Sequence, residues 1–265
     1  MYDVYNREIT YLRISVTDKC NLRCVYCMPE EGIPRRDHRD FMSLEDMARV
    51  AAAAAEIGIT KVRLTGGEPL VKKGISDLVR MIRQTPGIEH IGMTTNGLLL
   101  PRFAPLLKAA GLDSLNISLD TLDGDRYRSI TRIGSLDDCL AGIQAAMNED
   151  FHIKINMVVL EDTGDREIEG MRAFCGERGL KLQLINHYDL TKEKQNDYTF
   201  DRPPKCEECN RIRLTADGFL KPCLHSNLEI PVDMNNIRKS ISEAILSKPE
   251  KGLICSNRSM VDIGG

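Results

Sequence analysis

The sequence predicts an α/β protein: a partial (β/α)6 barrel with a small cysteine-bearing module at its carboxyl end. Three observations predict it. Six short runs rich in Ile, Val, Leu and Thr recur along the 265 residues, as in strands covered on both faces. Helical stretches with readable ends separate them, and βα alternation makes a parallel sheet with helices outside. The cysteine-bearing and polar motifs fall at the carboxyl ends of the runs, where the active sites of such barrels open.

The first run, Ile9–Val16, leads into Cys20, Cys24 and Cys27. Ser43 caps a helix through Ala51–Ala55 that stops at Gly58. The second run, Lys61–Thr65, ends in Gly66-Gly67-Glu68-Pro69, and the third, His90–Thr95, in Asn96-Gly97. Pro101 suits a first helical position and Gly111 closes that helix. The fourth run, Ser114–Leu119, reaches Asp120. Ser135 and Asp165 cap helices ending near Asp150 and Gly179, on either side of the fifth run, His152–Leu160. The sixth is Lys181–His187. Residues 188–205 are polar, contain Pro203-Pro204 and read as a connector. The expected organisation is therefore a barrel over residues 1–187, a connector over 188–205 and a module over 206–265. Within the module, Ala216-Asp217-Gly218 between Arg211–Thr215 and Phe219–Pro222 predicts a hairpin. Ser242–Lys248 reads as a short helix ended by Pro249.

Composition narrows the function. A net charge of −3 leaves no global basic field for nucleic acid. The absence of tryptophan weakens a base-stacking surface. No apolar run is long enough to span a bilayer, and the first seven residues lack the apolar stretch of a signal peptide. Nine cysteines without an export signal point to the cytoplasm and to metal binding, not to disulfides.

The spacing of Cys20, Cys24 and Cys27 is C-x3-C-x2-C. Three thiolates so close can hold three irons of a 4Fe–4S cluster and leave the fourth open to a ligand; thiolate sulfur suits such clusters. A structural or zinc-binding role is the plain alternative. A second set, Cys206, Cys209 and Cys223, is brought together by the hairpin, and zinc completed by His225 or Cys255 is its plain alternative. Arg211 and Arg213 alternate on one strand and point the same way. Arg13 lies on the strand that ends at the first cysteines. Forked guanidinium donors there suit the oxygens of a polyanion. Gly66-Gly67 marks close backbone approach or positive φ. Cys139 and Cys175 read as buried small hydrophobes.

On these residues the chain resembles the radical SAM superfamily, whose signature is C-x3-C-x2-C. The stretches Leu12–Cys20, Cys27-Met28-Pro29, Cys206–Leu224 and Met260–Gly265 are similar to the MoaA family, the GTP 3′,8-cyclases of molybdenum-cofactor biosynthesis. The resemblance implies a lyase with two 4Fe–4S clusters. Cys20, Cys24 and Cys27 would hold the one that binds S-adenosylmethionine; Cys206, Cys209 and Cys223 would hold an auxiliary one. It implies S-adenosylmethionine contacts at Tyr26, Gly66, Gly67, Glu68, Ser118 and Asn186. It implies GTP contacts at Arg13, Arg63, Thr94, Lys154, Arg211 and Arg213, with Arg13, Arg211 and Arg213 as the catalytic set and Gly264-Gly265 as a tail entering the site. A 5′-deoxyadenosyl radical would take H3′ from GTP, and C3′ would attack C8. Implied partners are a flavodoxin- or ferredoxin-type electron donor and the next molybdopterin-pathway enzyme, with homodimerisation open.

The chain departs from that family in two places. It is shorter, with the deficit between the sixth run and Cys206. Its sixth run has Lys181 where the family starts with Arg, and Asn186 where the family has a Met that touches S-adenosylmethionine. These changes bear on the substrate, not on cleavage of S-adenosylmethionine. A radical SAM enzyme acting on another nucleotide or a peptide, and a non-catalytic Fe–S or zinc protein, are the alternatives.

Overall fold

A computed structural model describes residues 1–33, 37, 40–195, 198–200 and 204–264. Six parallel strands follow one another in sequence and in space: β1 (Tyr11–Ser15), β2 (Lys61–Thr65), β3 (His90–Thr95), β4 (Ser114–Ser118), β5 (His152–Val159) and β6 (Lys181–Asn186). Each lies within one or two residues of its predicted run, because alternate Ile, Val, Leu and Met residues there pack beneath the helices while most of the residues between them face the barrel interior. The helices are α1 (Leu44–Glu56), α2 (Ile75–Arg83), α3 (Leu100–Ala110), α4 (Gly124–Thr131), α5 (Leu136–Asn148) and α6 (Asp165–Glu177).

The caps follow the sequence closely. The Ser43 side chain accepts from Asp46 N, and Met47, Val50, Ala51 and Ala54 of α1 turn inward. Gly111 takes φ +93° to end α3. Pro101 is the second residue of α3, not the first, and Asp165 is already helical, with Gly164 in the cap position. The short helices α2 and α4 lie outside the predicted set, although Asp123 caps α4, its side chain accepting from Arg126 N at 2.7 Å. Burial of Ile75, Leu78, Val79 and Ile82 on one face stabilises α2.

The carboxyl-terminal hairpin is β7 (Arg211–Leu214) and β8 (Phe219–Lys221), followed by the short β9 (Ile230–Pro231). β7 pairs parallel with β1, so the hairpin extends the same sheet, in the order β6-β5-β4-β3-β2-β1-β7-β8-β9. α7 runs Ile237–Leu246 and starts five residues before the predicted Ser242, which lies inside it. Arg238-Lys239-Ser240 hides its start, but Ile241, Ala244 and Ile245 pack the helix onto α1, β8 and β9. A last turn of helix, α8 (Met260–Ile263), precedes Gly264. Arg7 fastens the amino terminus beneath the second cysteine set: its guanidinium donates to Asp3 Oδ2 (2.6 Å), Cys206 O (2.9 Å), Glu250 O (3.0 Å) and Pro249 O (2.7 Å). Among the described residues no helix is long and apolar enough to cross a membrane.

Candidate active site

The first cysteine loop leaves β1 and is fixed from three sides. Gly67 N donates to Thr17 O (2.8 Å) and Glu68 N to Lys19 O (2.9 Å), zipping it to the end of β2. Arg23 N and Val25 N donate to Thr131 O and Ile130 O at the end of α4. Arg132 reaches back to Arg23 O (2.7 Å) and Met28 O (3.0 Å). Asn96 Nδ2 donates to Asn21 Oδ1 at 2.8 Å, adding β3. The three cysteines therefore sit on a braced turn that lines a cavity of about 190 Å³. Tyr26, Gly66, Gly67, Ser118 and Asn186 line it as well. Burial pushes the Cys20 thiol up to about 11. The hydrogen bond with Cys27, together with burial, raises Cys24 well above the ordinary thiol range.

Gly66 and Gly67 are glycine for a reason internal to the protein. A Cβ on Gly66, at φ +149°, would lie 2.4 Å from Thr17 O, and one on Gly67 would lie 2.4 Å from Lys19 O. Their room is taken by the cysteine loop. Glu68 does not line the cavity. It is 1% exposed, and its carboxylate accepts from Leu70 N (2.9 Å), Thr95 Oγ1 (2.8 Å) and Asn96 N (2.7 Å). Burial still pushes it up to about 7. Glu68 therefore shapes the loops after β2 and β3. Tyr26 OH donates to Asp120 Oδ2 (2.7 Å), whose other oxygen accepts from Val158 N (2.8 Å). The Asn186 amide is engaged with the connector, donating to Phe200 O (2.9 Å) and accepting from Phe200 N (3.4 Å).

Beside this cavity lies a larger one, about 630 Å³, lined by Arg13, Arg63, Thr94, Lys154, Arg211, Arg213 and the second cysteine set. Strand register builds its cationic wall. Arg63, Arg13 and Arg213 stand level across β2, β1 and β7; one repeat below, Lys61, Tyr11 and Arg211 do the same. Neighbouring strands lie about 4.8 Å apart, so each row crowds its cations. Burial, then Arg213, pull Arg13 down to about 9. Burial raises the Tyr11 phenol, but Arg63, Arg13 and Arg211 outweigh it and bring the group down to about 8. Arg63 donates to Tyr11 OH (2.5 Å) and Met93 O (3.1 Å). Its guanidinium occupies the space over Gly92, where a Cβ would come within 2.7 Å. Arg13 and Arg213 are buried side by side with Arg63 and Arg211 half-buried next to them, a grouping of cations that favours an anion.

Cys206, Cys209 and Cys223 all line this second cavity. Burial raises the Cys209 thiol, but Lys248 and Arg211 outweigh it and bring the group below the ordinary range. His225 is buried beside Cys223, its ring against Tyr188 (5.3 Å between centroids). Neither ring nitrogen has a hydrogen-bond partner among the described residues. Cys255 is elsewhere, in a small core with Leu190, Leu224 and Ile263. Cys139 and Cys175 are buried. Among the described residues no three His, Cys, Asp or Glu side chains converge on a single ion. A cluster of four irons spaces its thiolate ligands more widely than one ion does.

The tail closes the site. Arg258 donates to Glu229 (2.8 and 3.0 Å) and Asp217 (2.6 Å), fixing the tail's base to the hairpin. Met260 and Val261 then line the first cavity. Gly264 takes φ +74°, and its carbonyl accepts from Arg213 at 2.7 Å. Gly265 lies outside the described residues. Thr94, Asn156, Ile185 and Tyr188 line both cavities, so the two adjoin.

Sequence reasoning missed Lys61, Tyr11, Gly92, Lys194 and Lys248, and placed Asp120 at the end of β4 without its bond to Tyr26. Alternation along β1 and β2 was enough to place Tyr11 beside Arg13 and Lys61 beside Arg63; nothing local marks Gly92, Lys194 or Lys248. Lys181 is exposed on the edge strand β6 and does not line the cavity.

Residues 14–175 match the Radical SAM superfamily. The chain is 42% identical over 296 positions to the GTP 3′,8-cyclase of Heliobacterium modesticaldum, covering 94% of this chain and 90% of that one. It is 39% identical over 320 positions to the GTP 3′,8-cyclase of Alkaliphilus oremlandii, covering all of both. Set against 265 residues, 320 aligned positions leave at least 55 with no residue here. Among solved structures, Streptococcus suis SuiB bound to S-adenosylmethionine superposes with a TM-score of 0.68 at 15% identity, over 88% of this chain and 65% of that one. Methylornithine synthase superposes with a TM-score of 0.60 at 14% identity, over 95% and 77%. The chain spans less than two thirds of SuiB, and at such identities the likeness is one of fold.

Proposed function

The chain belongs to the radical SAM superfamily and, within it, to the GTP 3′,8-cyclase family, and from that membership we propose how its residues divide the work. It is an enzyme of the GTP-cyclising kind in molybdenum-cofactor biosynthesis, using a 4Fe–4S cluster and S-adenosylmethionine. The donor chemistry fits such a cluster: three thiols on one braced loop, facing a cavity next to Gly66-Gly67. When bound, the cluster and S-adenosylmethionine supply the radical that abstracts hydrogen.

Cys20, Cys24 and Cys27 hold that cluster. Tyr26, oriented by Asp120, and Ser118 bound the space for S-adenosylmethionine, and Glu68 keeps the surrounding loops in shape. Cys206, Cys209 and Cys223 hold an auxiliary 4Fe–4S cluster. Their donor set suits it: three sulfurs open to a cavity, with Cys255 turned away. Arg13, Arg63 and Arg213, with Lys61, Arg211 and Lys154, bind the triphosphate. Forked donors fix its orientation, and the anion relieves their mutual repulsion. The observation that carries this reading is the shared wall of the two cavities. Thr94 and Asn156 face both, so a nucleotide in the cationic cavity lies next to the site of radical formation, as proximity requires.

The test uses anaerobically reconstituted protein with S-adenosylmethionine, a low-potential reductant and GTP deuterated at C3′. Deuterium is expected in 5′-deoxyadenosine by mass spectrometry. Unlabelled 5′-deoxyadenosine with GTP left intact would transfer the chemistry to another nucleotide or to a peptide.

Gly92 supplies a second check. Alanine there displaces the far end of Arg63 and presses on Ser114 Oγ at 3.0 Å, side-chain atoms and not backbone, so the fold is expected to be retained. GTP affinity by calorimetry is expected to fall roughly tenfold, the effect of one lost charge-assisted contact. Unchanged affinity would remove Arg63 from the phosphate site.

A further inference from the structure

Two lysines outside the cationic rows point at the second cysteine set. Lys248, just beyond α7, is 3% exposed. Its Nζ donates to Arg211 O and Pro222 O, both at 2.8 Å, and to Cys209 Sγ at 3.6 Å. It thus ties the start of β7, just after Cys209, to the end of β8, just before Cys223. Lys194 comes from the connector, the opposite direction in sequence. Its Nζ donates to Cys206 Sγ and Pro204 O, both at 3.2 Å, and its backbone N to Leu253 O at 3.0 Å. Among the described residues neither ammonium has a carboxylate within ion-pair distance. Burying an ammonium without a counter-charge is costly. Lys248 is buried and Lys194 half-buried, and among the described residues the cysteine sulfurs are the only side-chain groups able to carry a counter-charge that either ammonium meets.

We propose that Lys194 and Lys248 are positioning residues of the auxiliary cluster, holding Cys206 and Cys209 and raising the reduction potential of the group those sulfurs bind. The inference rests on the reading that Cys206, Cys209 and Cys223 hold a 4Fe–4S cluster. An ammonium close to sulfur stabilises whichever oxidation state is more negative, and that is the reduced one. Hydrogen bonds to the sulfurs and net charge are established controls on such potentials.

The test uses the full chain with Cys20, Cys24 and Cys27 replaced by alanine, so that all bound iron belongs to the second set. After anaerobic reconstitution, iron is counted, and the midpoint potential is read from EPR-monitored reductive titration. About four irons per chain are expected. The Lys248→Met and Lys194→Met variants are each expected to shift the midpoint to lower potential, while Lys194→Arg, which keeps the charge, holds it near the parent value. Midpoints unmoved by both methionine variants, with iron retained, would overturn the proposal. Should Lys248→Met fail to fold, the Lys194→Met and Lys194→Arg pair decides alone. A parent chain that binds no iron removes the auxiliary cluster and the proposal with it, an outcome the iron count separates from an unmoved potential.

Discussion

Cys24→Ala is expected to abolish reductive cleavage of S-adenosylmethionine while leaving the protein folded and about half of its iron in place. The fold survives because the loop is held mainly through its backbone, and the partners of the Cys24 sulfur, Cys27 and Tyr26, lie on the same loop. Cys24 contributes its carbonyl, which accepts from Cys27 N and Met28 N, both at 3.1 Å. The loop is braced by Arg132, Thr131 and Asn96. Cys20 is the poorer choice, since its Sγ accepts from Leu22 N at 3.3 Å and its loss would confound ligation with loop structure. Two thiolates cannot retain a cluster built on three, so the chemistry should stop entirely rather than slow. The readouts are iron per chain, 5′-deoxyadenosine by mass spectrometry and circular dichroism. Continued 5′-deoxyadenosine formation would place the cleaving site elsewhere.

Gly264→Ala is expected to lower GTP turnover at least a hundredfold with little change in thermal stability. Two effects act together. At φ +74° a side chain is strained, and the new Cβ would lie 2.5 Å from Thr65 Cγ2 and 3.0 Å from Gly66 N. Neither can yield: Thr65 ends β2, and Gly66 is pinned against Thr17. The tail must therefore leave, and Arg213 loses the carbonyl that holds its guanidinium at 2.7 Å. Removal of one well-placed donor typically costs about 10²–10³ in rate. The global fold should persist because Arg258 anchors the tail upstream, at Glu229 and Asp217. Cleavage of S-adenosylmethionine without GTP should survive better than GTP turnover, and the ratio of the two is the measurement. Equal loss of both would assign Gly264 to the first cavity alone.

Much of the protein was legible in advance because the relevant physics is local. Alternation of apolar runs with capped helices sets a parallel βα sheet, and the observed strands match the runs. The spacing of Cys20, Cys24 and Cys27 announces its chemistry because one short loop carries all three. Where signals were not local, reading faltered. α7 begins at Ile237 and not at Ser242, since its stability comes from packing on α1, β8 and β9. Glu68 read as a cofactor contact, yet its carboxylate is taken up by Leu70, Thr95 and Asn96. Gly66-Gly67 read as close backbone approach or positive φ; Gly66 takes φ +149°, and the close approach is to backbone atoms of residues 17–19.

By itself, then, the sequence determined the strands, most helix ends, both cysteine sets and the resemblance that named the chemistry. Each depends on residues close in sequence, or on a pattern of spacing. Only the tertiary structure decided that β7 pairs with β1, which sets Arg213 level with Arg13 and Arg63 across some 200 residues of chain. Only it brought Lys194 and Lys248 to the second cysteines and turned Cys255 away from them. Strand register and the direction of a buried side chain are set by the packing of distant segments, and no window of sequence contains both partners.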